Sequence, residues 1–414
     1  MEKKRNIIVG QSGGPTAVIN SSLAGVYKNA IERGFDKVYG MLHGIQGLLD
    51  EQYIDLSTQI HSELDIELLK RTPSAFLGSC RFKLPEIHED KTIYEKIFGI
   101  LNRLDIDAFI YIGGNDSMDT IKKLSDFAIL TGQKQKFLGV PKTIDNDLAL
   151  TDHTPGFGSA AKYVASTVRE IAIDASVYDN KQSVTIVEIM GRHAGWLTAA
   201  SALARKFKND NPVLISLPEV AFDQDAFIEK IKSSLETTSN LVVCISEGIH
   251  TADGTFICEL GSEVGVDTFG HKMLTGSGKY LENLVKERLG VKVRSVELNV
   301  SQRCSSAMLS KTDQKEAIAS GSFGVTAAIK GETGKMVAFK RQSPLTLDAD
   351  YVLNYATEDV NEICNKEKTV PLEWISEDGS DVTEAFLAYA RPLVRGNVLV
   401  PTDEDDLPKF AYRK

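Results

Sequence analysis

Nowhere in these 414 residues is there an apolar run of about 20, so the sequence predicts no transmembrane helix. The N-terminus Met1-Glu2-Lys3-Lys4-Arg5 is basic, but the apolar stretch behind it, Ile7-Ile8-Val9, is too short for a signal peptide. Paired cysteines are also lacking. Cys80, Cys244, Cys258, Cys304 and Cys364 are odd in number and none stands at C-x-x-C spacing, which argues against a disulfide framework or structural zinc and fits a reducing, cytoplasmic setting. Positive charge is not in excess. A net charge of −10 argues against nucleic acid and anionic membrane surfaces as partners. No repeat with a period of roughly 20–50 residues is visible. The acidic run 403–406 reads as a solvated tail.

What is present is ordinary globular composition, 42% hydrophobic and 25% charged, enough for a core without metal or disulfide staples. At roughly 150 residues per unit, the length predicts two or three α/β units. Short apolar runs each lead into glycine or polar residues: Ile7–Val9 into Gly10-Gln11-Ser12-Gly13-Gly14, Ala108–Ile112 into Gly113-Gly114-Asn115-Asp116, and Phe137–Val140 into Pro141-Lys142. The same holds for Val184–Val187 before Glu188-Ile189-Met190-Gly191-Arg192, Val213–Leu217 before Pro218-Glu219, and Leu241–Ile245 before Ser246-Glu247-Gly248. Near-continuous apolar runs are strands buried on both faces. Helical stretches between them, at 16–29, 117–129, 159–173 and 195–206, give a βαβ rhythm and parallel sheets. Ligands of such sheets bind beyond the strands' carboxyl ends, where these polar clusters fall.

Each cluster has a plain structural reading beside a chemical one. Gly10–Gly14 serves equally as a tight turn or as a phosphate cradle at a helix start, and it is neither a dinucleotide fingerprint nor a Walker loop. In Gly113–Ser117, Asp116 or Ser117 suits a helix cap, or the segment forms a second wall of the same polyanion site. Pro141-Lys142-Thr143-Ile144-Asp145-Asn146-Asp147 suits a surface loop with an Asx-turn, or it sets two carboxylates beside a lysine, a costly arrangement after a buried strand unless it is used; the ammonium would keep Asp145 ionised and able to take a proton. Arg192 suits a phosphate or a salt bridge, Glu247 a sugar hydroxyl or an edge ion pair, and Arg294 with Gln302-Arg303 a phosphate or open solvent. His193 is given no catalytic role, and Trp196 is expected in the core. Together these groups form the inventory of phosphoryl transfer: cradles, cations and one base.

Pro141–Asp147 and Met190-Gly191-Arg192-His193-Ala194-Gly195, in order, resemble the phosphofructokinase family, and within it the pyrophosphate-dependent members. The resemblance runs from Gly13 to about Arg303; the last hundred residues carry no placed motif. It implies two Rossmann-like α/β domains of three layers with mainly parallel sheets and the site in the cleft between them: residues 1–156 for the donor and 157–303 for the sugar phosphate, each completed by parts of 304–414. It implies Asp145 as the base on the C1 hydroxyl of fructose 6-phosphate, with Lys142 and Asp116 in the catalytic set. Thr143, Met190, Gly191, Arg192, Glu247, Arg294 and Arg303 would bind the sugar phosphate, Arg294 being one that the family often lends from a neighbouring subunit. Gly13, Arg81 (in Leu77-Gly78-Ser79-Cys80-Arg81) and Lys142 would hold pyrophosphate. Mg2+ is implied, near Asn115, where the family usually has aspartate, or held by Asp147, the donor and water. A homodimer or homotetramer and a reversible glycolytic reaction are implied as well.

ATP-using relatives have glycine where this chain has Asp116 and Lys142. A carboxylate at 116 crowds and repels a nucleotide's α-phosphate, and an ammonium at 142 neutralises a small, highly charged donor. The rival readings are an ATP-dependent 6-phosphofructokinase and a catalytically silent sugar-phosphate-binding subunit. Ser183, Val300 and Cys304-Ser305 depart from the family pattern around the sugar-phosphate pocket.

Overall fold

The computed structural model describes residues 5–177, 181–207, 209–261 and 276–413. In chain order the strands are β1 (Asn6–Gln11), β2 (Lys37–Met41), β3 (Tyr53–Asp55), β4 (Ile106–Gly113), β5 (Lys136–Pro141), β6 (Ser183–Ile189), β7 (Leu214–Ser216), β8 (Asn240–Ser246), β9 (Lys292–Glu297), β10 (Lys335–Arg341) and β11 (Leu353–Asp359). Among the described residues they form two sheets, ordered β11-β10-β5-β4-β1-β2-β3 and β7-β8-β6-β9. The second is wholly parallel, and in the first only the edge strands β3 and β11 pair antiparallel. Ile7, Ile8 and Val9 are fully buried, as are Phe109, Ile110 and Ile112, because helices cover both faces of these central strands.

The helices expected at 16–29, 117–129 and 159–173 are present as Ile19–Glu32, Asn115–Thr131 and Phe157–Ala175. The one expected over 195–206 is shorter. It is α-helical only at Trp196–Ala200 and tightens into a 3-10 turn at Ser201–Ala204. Arg169 ends it from outside, donating to the carbonyls of Leu203 and Ala204 at 3.0 and 2.7 Å, acceptors that a longer helix would have used. Neither Asp116 nor Ser117 caps its helix: the N-cap is Gly114, with no side-chain cap bond. Trp196 is core, packed with Phe157, Phe386 and Tyr389. All five cysteines are free thiols. Among the described residues no helix is long and apolar enough to cross a membrane.

The last hundred residues, which carry no motif, complete both halves. Strands β10 and β11 extend the first sheet, while Val370, Ile375, Val382, Phe386, Tyr389 and Leu393 enter the core around the helix Phe157–Ala175. Asp313 ties the two together. Its carboxylate accepts from Gly156 N and Ser159 N, both at 2.9 Å, at the start of that helix, where the backbone dipole also favours an anion. Asp313→Ala would leave two buried amides unpaired, so unfolding in urea should show a loss of about 2–4 kcal/mol; a loss below about 0.5 kcal/mol, the range of a surface substitution, would mean that the tie contributes little.

Candidate active site

Parallel pairing brings the polar clusters together. β1, β4 and β5 are neighbours in register, so their exit loops lie side by side: Ser12 N donates to Ile112 O at 3.0 Å, and Lys142 N to Gly113 O at 3.0 Å. This edge includes the point where the strand order reverses between β1 and β4. Gly13 has φ +75, a conformation that glycine adopts at no cost, and its turn is pinned by Gly13 N to Cys80 O at 3.2 Å and Ser79 Oγ to Gly13 O at 2.6 Å. Those two contacts place Arg81, itself exposed, beside the turn. Lys142 reaches into it, its Nζ donating to Gly14 O at 2.7 Å.

The second sheet offers a matching edge. Glu247 N donates to Ile189 O at 2.9 Å, and Gly191 N to Glu247 Oε1 at 3.3 Å. Gly191 has φ +145, a conformation reserved for glycine, and its carbonyl accepts from Ser246 Oγ. Met190 N donates to Gln302 Oε1 at 3.3 Å, which orients the residue before Arg303. Arg303 spans the two halves: a side chain at position 14 would begin 3.4 Å from its Nη1.

Charge ties these groups into one site. Lys142, buried, has its pKa pushed down to about 8 by desolvation, with Arg303 and Arg81 adding to the fall and Asp145 and Asp147 opposing it. Burial raises Asp145, while Lys142, the Thr143 hydroxyl and Arg303 pull it back. Asp147 is pushed up to about 7 by desolvation and then by the Asp145 charge. Glu247 is pushed up to about 7, again by desolvation first and then by Asp145 and Glu188, with the Gly191 amide and Arg192 opposing. Thr143 is buried and its Oγ1 accepts from Asp145 N at 3.1 Å. Gly13, Arg81, Lys142, Thr143, Asp145, Met190, Gly191, Arg192, Glu247 and Arg303 therefore converge.

Three expected residues are placed differently. Asp116 is exposed on the first turn of its helix, at the rim. The Asn115 oxygen accepts from Asn365 N at 2.6 Å and its amide donates to Lys366 O at 2.8 Å, which ties the loop to the C-terminal region and leaves one lone pair for a metal or water. Arg294 lies mid-strand on the edge strand β9, opposite Thr185. It lines a cavity of 650 Å³ with Glu170, Asp174, Lys181 and Lys292, none of them a residue of the site above.

Among the described residues no three His, Cys, Asp or Glu side chains group as metal ligands. The Asp147 carboxylate, its pKa raised by burial and by the Asp145 charge, and the Asn115 oxygen nevertheless offer the all-oxygen chemistry that suits magnesium, which takes one or two carboxylates, substrate phosphates and several waters.

Sequence reasoning missed Glu188, Asn146 and Lys368. Glu188 is buried at the end of β6, accepts from Gly278 N at 2.7 Å and is pushed up to about 7 by desolvation; a carboxylate ending an apolar run was a readable signal. Lys368 N donates to Asp147 O at 2.7 Å, a main-chain contact that residue type does not reveal.

The family profile described as Phosphofructokinase matches residues 6–326. The chain belongs to the phosphofructokinase family. It is 42% identical over 410 residues to the pyrophosphate–fructose 6-phosphate 1-phosphotransferase of Xanthomonas campestris pv. campestris (strain B100), covering 99% of this chain and 96% of that one. With the protein of the same name from Halomonas elongata it shares 39% identity over 412 residues, 99% of this chain and 96% of that one. The crystal structure of a pyrophosphate-dependent phosphofructokinase from Nitrosospira multiformis superposes with a TM-score of 0.88 at 34% identity, covering 99% of this chain and 96% of that chain.

In this phosphofructokinase burial pushes the Lys142 pKa from the ordinary lysine value of 10.5 down to about 8. A polyanion binds the protonated form, so the lysine's contribution falls as pH rises through that value, approaching about tenfold per unit well above it. Calorimetric titration with inorganic pyrophosphate across pH 7–9 should show affinity falling relative to Lys142→Gln, whose profile lacks this limb; parallel profiles would contradict it.

Proposed function

We infer that the protein transfers a phosphoryl group from pyrophosphate to the C1 hydroxyl of fructose 6-phosphate, giving fructose 1,6-bisphosphate and phosphate, a reversible glycolytic step. The observation that carries this is the placement of the Lys142 ammonium in the Gly13-Gly14 turn, with Arg303 beside the same turn and Asp145 within its electrostatic reach. A cation bound within a glycine turn suits a compact polyanion, and a carboxylate within its field suits proton abstraction from an acceptor across the cleft.

In the proposed reaction Asp145 takes the C1 hydroxyl proton while that oxygen attacks the near phosphorus of pyrophosphate, and the bond to the bridging oxygen breaks, releasing phosphate. Lys142, Arg81 and the Gly13 turn offset charge on the donor. Thr143, Arg192, Glu247, Arg303 and the main chain of Met190 and Gly191 hold the sugar phosphate. Arg294, on its edge strand, would serve the sugar phosphate of a neighbouring copy in a homodimer or homotetramer. Asp147, with the remaining lone pair of Asn115, would hold Mg2+ on the donor oxygens; bound there, the ion neutralises charge and aligns the phosphates. Asp116 at the rim sets bulk and negative charge against a longer nucleotide.

Two measurements test this reading. Formation of fructose 1,6-bisphosphate, assayed with each donor separately, should occur with pyrophosphate; activity with ATP alone would overturn the donor assignment. Asp145→Ala should lower kcat at least about 100-fold with sugar-phosphate binding little changed; near-normal turnover would remove Asp145 as the base.

A further inference from the structure

The loop carrying Asp145 and Asp147 turns on a residue between them. Asn146 is fully buried with φ +56, left-handed backbone that asparagine tolerates at a cost. Its side chain is held at both ends: Oδ1 accepts from Thr154 N at 3.1 Å, and Nδ2 donates to the Tyr389 hydroxyl at 2.7 Å. That hydroxyl donates onward to Asp152 O at 2.8 Å, so its single proton and an acceptor site are both in use.

Tyr389 is itself fixed. The Arg341 guanidinium lies 4.8 Å from the centre of its ring, and Arg341 Nη2 donates to Tyr389 O at 3.1 Å. Arg341 also forks onto Asp152 at 3.0–3.2 Å. Asp152 faces His153 Nδ1 at 2.7 Å, His153 Nε2 faces Glu316 at 2.7 Å, and Glu316 accepts from the Tyr351 hydroxyl at 2.7 Å. A buried polar network with its members paired resists displacement.

We propose that Tyr389 is a positioning residue for the transfer reaction, acting through Asn146 to fix the directions of the Asp145 and Asp147 carboxylates. Its ring is buried and its hydroxyl bonds Asn146 and Asp152; its oxygen transmits the rigidity of the Asp152–Arg341–Glu316 network to the one left-handed residue between two working acids. The inference rests on the reading of Asp145 as base. Misplacement of a reacting group by about 1 Å can cost on the order of 100-fold in rate.

Tyr389→Phe removes one oxygen and keeps the ring, its packing and the Arg341 contact. It should lower kcat at least about tenfold while the KM for fructose 6-phosphate stays within about threefold. Asn146→Gly accepts the backbone conformation without the anchor, and should lose at least as much kcat. Adding Tyr389→Phe to Asn146→Gly should cost nothing further, because one bond links the pair. A kcat for Tyr389→Phe within about twofold of the unsubstituted protein, or losses that multiply in the double variant, would overturn the inference. The assay uses whichever donor the unsubstituted protein turns over, so a wrong donor assignment leaves this test intact; no transfer with any donor would overturn both readings.

Discussion

An ammonium group sits where charge is disfavoured, and most of the site follows from that. Lys142 is buried, and burial pushes its pKa down. The Gly14 carbonyl accepts a hydrogen bond from it, and Asp145 and Asp147 oppose the loss of charge. Burial raises both acids, and the Asp145 charge raises Asp147 further, so neither sign is at ease without a ligand. In the function proposed above, a bound polyanion and its counter-ion would relieve both, which would let a protein of net charge −10 accommodate a highly charged donor.

The backbone can sustain this only because parallel sheets collect their exits on one edge. β1, β4 and β5 deliver three loops to one wall, and β6, β8 and β9 deliver the facing one. The exits of β4 and β6 reach a helix within a few residues, whereas the exit of β5 runs over residues 142–156 before the helix Phe157–Ala175 begins. Function therefore concentrates at strand ends, where amide and carbonyl groups leave the ladder and become available.

That arrangement explains what was legible. Strands buried on both faces announce themselves as apolar runs, and the loop after each carries the chemistry, so β1, β4, β5, β6 and β8 and their glycine, lysine and carboxylate clusters were all readable. β9 was not: as an edge strand it reads Lys-Val-Arg-Ser-Val-Glu, half exposed, with no apolar run. β11, the antiparallel edge of the first sheet, was hidden for the same reason. The helix expected to reach residue 206 failed because an arginine remote in sequence, Arg169, takes its terminal carbonyls. Periodicity has no access to such a bond.

The C-terminal hundred residues were opaque for a different reason. They support the site mainly through main-chain atoms: Asn365 N and Lys366 O hold the Asn115 amide, Lys368 N holds Asp147 O, and Arg395 O and Leu393 O receive Ser310. A backbone amide is supplied by nearly any residue type, so such a contact constrains the path of the chain rather than its letters. The exceptions are side chains that reach a motif loop, Asp313 at the start of the helix Phe157–Ala175 and Tyr389 at Asn146. Irregular loops cannot satisfy their own polar groups as strands and helices do. A loop such as Lys142–Asp147, which carries two of the site's acids and its lysine, therefore requires an external scaffold, and a scaffold made of backbone leaves no motif to read.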